Sequence, residues 1–441
     1  MSVDEPLLSA GGTGRAGGPL PRLRPSVDVA GLGPEHGEDA VCLYDRQDPS
    51  AGQAVITRAG LLLASLLDGS RTAKAVSAAF ALRTGSTLGP AEIAGFVDQL
   101  DRANLLDSPR YHSGQRRIAA QFRARASRPA VHAGGSYPGE PAALRRFLDG
   151  WYTAKGGPGA APGPVCRPGA RGLIAPHIDL HRGGHSYAWG YRALAESEPA
   201  DVYVLLGTCH QPMRRPFAAT ALPYDTPFGP VAADADFLDR LQRRAPFDLF
   251  EDELSHRREH ALEFQAVYLR HLGHSGGDGP ATVVSILCVP PGRVQHGGTP
   301  RDDAATEEMI QALAETVAED GRRVCFIAGA DFAHVGPQFG DPSPVDQRFA
   351  DHVRTGDITM LEHAAAGDAD GFYRQVVQER PGPGMAGDSM AVGGPRRICG
   401  LAPMYALLRL VDRQNGQVLH YDQWIDQGGG GSVTFGCVLF D

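Results

Sequence analysis

Three apolar runs in this chain each end in a turn that carries a histidine, and this pattern constrains the fold more than any other feature. Gly172-Leu-Ile-Ala175 leads to Pro176-His177, Val202-Tyr-Val-Leu-Leu206 leads to Gly207-Thr-Cys-His210, and Arg323-Val-Cys-Phe-Ile-Ala328 leads to Gly329-Ala-Asp-Phe-Ala-His334. A fourth run, Thr282-Val-Val-Ser-Ile-Leu287, and amphipathic stretches near residues 186–195, 237, 260–272 and 304–317 complete the alternation. Short apolar runs alternating with helical periodicity predict an α/β domain with a mainly parallel sheet flanked by helices. In such sheets ligands sit beyond the carboxyl ends of the strands. The three histidines are therefore expected at one edge of the sheet.

The 441 residues, 42% of them hydrophobic, suffice for two domains. Lys and Arg number 42 against 51 Asp and Glu, and the net charge of −9 argues against a general grip on nucleic acid. Cysteines at 42, 166, 209, 288, 325, 399 and 437 form no Cys-x-x-Cys pair, so neither a disulfide framework nor a zinc ribbon is expected. The start of the sequence lacks the basic and apolar regions of a signal peptide, and no segment offers the roughly 18 apolar residues of a spanning helix. A cytoplasmic protein with no membrane partner is the expectation.

Residues 1–20 are Gly-rich and read as a disordered tail. Residues 21–110 read as a small winged-helix-like unit: a strand over 39–44, a helix over 56–67, a turn at Asp68-Gly-Ser70, a helix from near Thr72, and another from Pro90 to Leu100 with Ile93, Phe96, Val97 and Leu100 on one face. A basic amphipathic connector follows at 111–128, then the larger α/β domain at 129–441, with a Pro/Gly-rich surface loop over 156–169. The segments Ala64-Ser-Leu-Leu-Asp-Gly-Ser-Arg-Thr72 and Leu100-Asp-Arg-Ala-Asn-Leu-Leu106 resemble those of the PqqD-like peptide-recognition family. That resemblance implies a leader-peptide partner that adds a strand to the sheet edge and lies against a helix. A unit that only packs on its neighbour is the alternative.

Neutral imidazole is the commonest ligand of transition metals, and two histidines with one anion leave coordination positions open. The candidates for the anion are Asp331, Glu259, Glu263 and Cys399. Cys399 lies in Arg397-Ile-Cys-Gly400, just before an apolar helix over 401–410, where the helix dipole favours a thiolate. Cys209, next to His210, is the other cysteine of interest.

Seven motifs in order from residue 129 onward carry a second resemblance. They are Ala133-Gly-Gly-Ser-Tyr-Pro-Gly139, Ile174-Ala-Pro-His177, Leu206-Gly-Thr-Cys-His210, Tyr224-Asp-Thr-Pro-Phe-Gly229, Arg258-Glu-His-Ala-Leu-Glu263, Ala330-Asp-Phe-Ala-His-Val-Gly336 and Ile398-Cys-Gly400. Together they resemble the Memo family, the B component of the AmmeMemoRadiSam system. The resemblance implies a fold shared with class III extradiol dioxygenases and a metal pocket of His177, His210 and Cys399. It also maps the family's Asp-Phe-x-His pair onto Asp331 and His334, and its Glu-His pair onto Glu259 and His260. A thiolate stands where the dioxygenases use a carboxylate, which argues against ordinary ring cleavage. The chain departs from the family pattern at Ile178-Asp-Leu-His181-Arg, where His181 is a candidate polar wall of the pocket or a surface residue.

The expected function is a non-heme iron, dioxygenase-like oxidoreductase acting on a peptide or small molecule, with a radical-SAM partner. Fe(II) is the expected ion, with Cu(I) or Zn as alternatives because thiolates favour them. His334 would be the acid/base with a pKa near the working range, Asp331 would orient it or bind substrate, His260 would line the pocket, and Glu259 would fix a histidine tautomer. The alternatives are a non-catalytic metal-binding, redox or peptide-binding accessory protein and, third, a zinc hydrolase.

Overall fold

The computed structural model describes residues 17–441 except 34, 36, 38, 46–50, 274–280, 292–293, 295–296, 387–392 and 412–413. The chain divides into two compact units, one ending at Gln121 and the other beginning at Phe122. Among the described residues no helix is long and apolar enough to cross a membrane.

In the first unit β1 (Asp28–Gly31), β2 (Ala40–Tyr44) and β3 (Ala54–Thr57) form an antiparallel sheet in that order. Helices α1 (Arg58–Ser65), α2 (Ala73–Thr84), α3 (Pro90–Arg102) and α4 (Pro109–Arg123) follow. The first helix starts later than its periodicity predicts because Ile56 completes β3 opposite Val41. Thr57 then caps it, its hydroxyl accepting the Gly60 N–H at 3.1 Å. At the next turn Asp68 Oδ1 accepts the Ser70 N–H at 2.9 Å, and Gly69 takes a φ of +84° that side chains resist. Residues 1–16 of the expected tail lie outside the described residues. Residues 17–20 correct that expectation, since Leu20 donates its N–H to Arg71 O at 2.8 Å and packs on the core of Leu43, Leu67 and Phe80. The first part of the expected connector is helical, as α4.

The second unit contains α5 (Pro141–Thr153), β4 (Gly172–Ala175), α6 (Leu180–Ala195), β5 (Val202–Thr208), β6 (Phe217–Thr220), α7 (Ala235–Arg244), α8 (Glu263–His271) and β7 (Thr282–Cys288). After these come α9 (Ala304–Asp320), β8 (Val324–Gly329), β9 (His334–Val335), α10 (Gln347–Ala365), α11 (Ala369–Val377), α12 (Leu401–Leu410), β10 (Gly416–Ile425) and β11 (Ser432–Phe440). The sheet runs β10-β11-β4-β8-β5-β7-β6, with β9 paired to β11. The four strands β4, β8, β5 and β7 are parallel, and antiparallel strands flank them on both sides.

Alternate residues of β5 serve two cores. Val202, Val204 and Leu206 face the layer of α7 and α9 to α12, while Tyr203 and Leu205 face α5, α6 and α8. At the end of β8 the backbone passes so close to α8 that a Cβ on Gly329 would lie 2.4 Å from Ala261 O, so only glycine fits.

A buried histidine fixes the approach to the site. His256, in the short turn Glu253–Arg257, donates from Nε2 to Ala218 O of β6 at 2.9 Å and accepts at Nδ1 from the Tyr224 hydroxyl at 2.9 Å. Both nitrogens are thus used by the neutral ring, and burial pushes its pKa down to about 4. The unfolded chain binds a proton near pH 6.5 that the folded chain refuses. Its contribution is therefore complete above about pH 6.5 and is lost as pH falls towards 4, at up to ~1.4 kcal/mol per pH unit. Urea midpoints should fall between pH 6.5 and 4.5. His256→Gln should be less stable than wild type at pH 7.5 but show a shallower slope; an unchanged slope would exclude His256 as a source of the acid sensitivity.

Candidate metal centre

The carboxyl ends of β4, β5 and β8 converge as the alternation predicts, and each delivers its residues through a short turn. His177 follows β4 by two residues, ahead of Asp179, which caps α6 by accepting the His181 and Arg182 N–H groups at 3.1 and 3.2 Å. His210 follows β5. Asp331 follows β8, and Cys399 comes from the loop before α12. One nitrogen of His177, one of His210 and the Cys399 sulfur all lie within 4.8 Å of one another. The sulfur is 3.2 Å from His177 Nε2.

The hydrogen bonds around these rings set their tautomers. His177 Nδ1 donates to Gly329 O at 2.9 Å, and His210 Nδ1 donates to Glu259 Oε1 at 3.0 Å. Each Nε2 is thereby left with its lone pair, the form a cation requires. His260 stacks on His210 with ring centres 4.8 Å apart, and its Nδ1 also faces Glu259 Oε1, at 3.1 Å. His334 Nδ1 donates to Phe332 O at 3.2 Å.

Glu259 also accepts the backbone N–H groups of His210 and His260 at 2.8 Å and of Ala261 at 3.2 Å. Burial opposes its charge, but the bonds from His210 and His260 hold its carboxyl well below the usual range. His210, Glu259 and His260 also lie close enough to hold an ion. The Glu259 oxygens are already engaged by five donors, so His177, His210 and Cys399 are the better-suited set. Their fit to a cation rests on two Nε2 lone pairs and one soft sulfur, with His177 buried, Cys399 half-buried and His210 open to solvent.

Two expected properties are corrected. Burial and the nearby Asp331 push the Cys399 thiol well above its ordinary value, so the helix start does not by itself produce a thiolate. Burial pushes His334 down to about 4, outside the working range and despite the opposing charge of Asp331. Asp331, whose own carboxyl is raised by burial, accepts the His177 backbone N–H at 2.8 Å and so holds the loop of that ligand. His181 is exposed on the first turn of α6 with its ring 4.9 Å from that of Phe147, and none of its contacts is with the cluster. Cys209 is buried, its thiol raised to about 12 by burial and donating to Gln211 O at 3.3 Å, and it is not among the ligand atoms that approach one another.

Three supporting residues, Arg128, Gln265 and His132, escaped the sequence reading. The fully buried Arg128 pairs with Glu263 and donates to Glu259 O at 2.6 Å and His256 O at 2.9 Å, fixing the turn that carries Glu259 and His260. Glu263, a candidate ligand by type, is spent on Arg128, the Tyr137 hydroxyl and the His132 N–H. Gln265 donates to Pro176 O at 2.8 Å, beside His177, and accepts from the Tyr191 hydroxyl at 2.7 Å. His132 packs edge-on to His260 at 5.7 Å. Its position immediately before the motif at 133–139 was the available signal.

The Cys399 loop has its own braces. Thr208 Oγ1 donates to Cys399 O at 3.2 Å, and the Gly400 N–H donates to Asp331 O at 3.1 Å. A Cβ on Gly400 would lie 2.5 Å from that same oxygen.

An α/β sheet with two imidazoles and a thiol gathered at the ends of its parallel strands defines the class of this protein. The chain belongs to the Memo-like family, whose model matches residues 128–433. It is 30% identical over 286 residues to a MEMO1 family protein of Aquifex aeolicus, covering 65% of this chain and 70% of that one. A MEMO1 family protein of Thermus thermophilus is 28% identical over 349 residues, 79% and 93% of the two chains. One of Methanopyrus kandleri is 27% identical over 317 residues, 70% and 95% of the two chains.

Arg128→Met should lower stability by about 3–5 kcal/mol, because it leaves the Glu263 carboxylate buried without its counter-charge. Denaturant midpoints measure this, and a loss below 1 kcal/mol would mean that the pair is not the strut described.

Proposed function

We propose that this chain is a metal-dependent oxidoreductase whose ion, Fe(II), is held by His177, His210 and Cys399. The observation that carries the reading is the mutual approach of these three ligand atoms, with both imidazole Nδ1–H groups tied off and the His177 Nε2 turned to the Cys399 sulfur at 3.2 Å. Fe(II) bound there would supply adjacent coordination positions for a substrate heteroatom and dioxygen. The protein groups divide the remaining work. Glu259 orients His210, Asp331 holds the His177 loop, and His260 forms the wall stacked against His210. His334, held neutral by burial and with its Nδ1–H engaged by Phe332 O, keeps Nε2 as a hydrogen-bond acceptor for bound substrate. Cu(I) and Zn are the competing ions for a site with sulfur.

The first unit supports a peptide substrate. Its sheet order leaves β1 and β3 at the edges, the geometry that accepts an added peptide strand. In this reading it captures the leader of a ribosomally made peptide, and a radical-SAM partner acts in the same modification pathway. The seven free cysteines suit a reducing cytoplasmic location.

Metal analysis of protein purified without oxygen or chelators should find one iron per chain. His177→Ala and His210→Ala should each lose most of it, and oxygen uptake should depend on added peptide. Sub-stoichiometric metal of every kind, unchanged by both substitutions, would remove the site. Tight metal binding without oxygen uptake would favour a non-catalytic carrier, and zinc-dependent cleavage under nitrogen would favour a hydrolase.

A further inference from the structure

A cavity of about 460 Å3 lies along α4 in the first unit. Arg110, Gly114 and Arg117 line it at helical spacing, together with Tyr111, Ser113 and Ile118. Seven residues of helix place the two arginine Cα atoms about 10.5 Å apart. Neither guanidinium has a hydrogen bond or ion pair among the described residues. Arg22, Arg24, Arg58, Arg71 and Arg102 of this unit are matched with Asp107, Asp45, Asp39, Asp68 and Asp98.

Gly114 is a second observation. Glycine is disfavoured in a helix interior. A Cβ at Gly114 would meet nothing within 4 Å, and its φ is not among the positive ones, so neither packing nor backbone geometry requires glycine here. Its effect is to lower the floor of the groove between the two cations.

We propose that the α4 groove binds an acidic peptide segment through two carboxylates about 10 Å apart, one on Arg110 and one on Arg117. Guanidinium groups match carboxylates with paired hydrogen bonds. A peptide in the polyproline II conformation, with three residues per turn and a rise of about 3.1 Å per residue, presents such carboxylates on one side three positions apart. The chain's net charge of −9 opposes a long polyanion and favours a short acidic segment over nucleic acid. This deepens the peptide reading of the first unit and rests on it for the link to substrate. The groove itself depends neither on the metal nor on turnover.

Fluorescence anisotropy with labelled hexaglutamate, hexaglutamine and a ten-nucleotide oligothymidylate, on the full chain at 50 mM salt, tests the groove. Hexaglutamate should bind and hexaglutamine should not. Arg110→Gln/Arg117→Gln should weaken hexaglutamate at least tenfold, and so should Gly114→Leu, which fills the groove without changing charge. Arg83→Gln, an exposed arginine on α2, should leave binding unchanged. Absence of hexaglutamate binding, or binding insensitive to the double substitution, overturns the proposal. Loss on charge removal with none in Gly114→Leu reduces the site to general surface charge and overturns the groove. Tighter binding of the oligonucleotide through the same arginines overturns the peptide assignment. Metal content in the same variants separates the two readings: iron retained with no peptide binding defeats this inference and leaves the centre standing.

Discussion

One buried carboxylate holds the site together. Glu259 takes N–H bonds from the backbone of residues 210, 260 and 261 and faces the Nδ1 atoms of two imidazoles. A carboxylate removed from water keeps its charge only when donors replace the lost solvent, and here five of them do so. The same bonds that keep it ionised decide which nitrogen of His210 is free. Backbone path, ring orientation and tautomer are therefore set by a single group. Arg128 extends the constraint outward, because it grips the carbonyl of Glu259 while pairing with Glu263.

Cys399 follows a different logic. Its thiol is raised by burial and by the neighbouring Asp331, so ionisation there is unfavourable without a cation. A bound cation would release that proton, and metal affinity would then depend on pH through the sulfur as well as through His210, which Glu259 raises against the effect of burial. His177 is already held neutral, chiefly by burial and then by the two nearby histidines. Of the three, His177 is therefore ready beforehand, while His210 and Cys399 both hold their protons more tightly until a cation displaces them.

Much of this was legible from the chain. The strand-then-histidine pattern located His177, His210 and Asp331 because parallel strands buried on both faces expose chemistry only at their ends. The flanking β10–β11 hairpin was not read. Ser432–Phe440 is buried throughout, so it lacks the alternation that marks a half-buried strand, and a Gly-rich turn precedes it. Arg128 and Glu263 were hidden for a different reason: a buried ion pair 135 residues apart leaves no local signal, and an acid in a motif looks like a ligand until its partner is seen. The pKa of His334 was misjudged because burial is a property of the packed structure and not of the Asp-Phe-Ala-His sequence.

The centre is built from two separately braced halves. On one side, Glu259 joins His210 to His260. On the other, Arg396 and Arg397 join Cys399 to His334: Arg396 O accepts the His334 N–H at 2.8 Å, and the Arg397 guanidinium donates to His334 O at 3.3 Å and to Asp341 at 2.9 Å. Arg397 holds a φ of +52°, a strained value for a side-chain-bearing residue, and its ion pair with Asp341 offsets that cost. The Arg396 side chain is itself fully buried between Asp357 and Glu379. His177 touches both halves, through the Cys399 sulfur on one side and edge-on contacts with His210 and His260 on the other, and Thr208 at the head of the His210 turn also bonds Cys399 O. The bonds of His177 to Gly329 O and Asp331 tie it to the end of β8, on the rigid centre of the sheet.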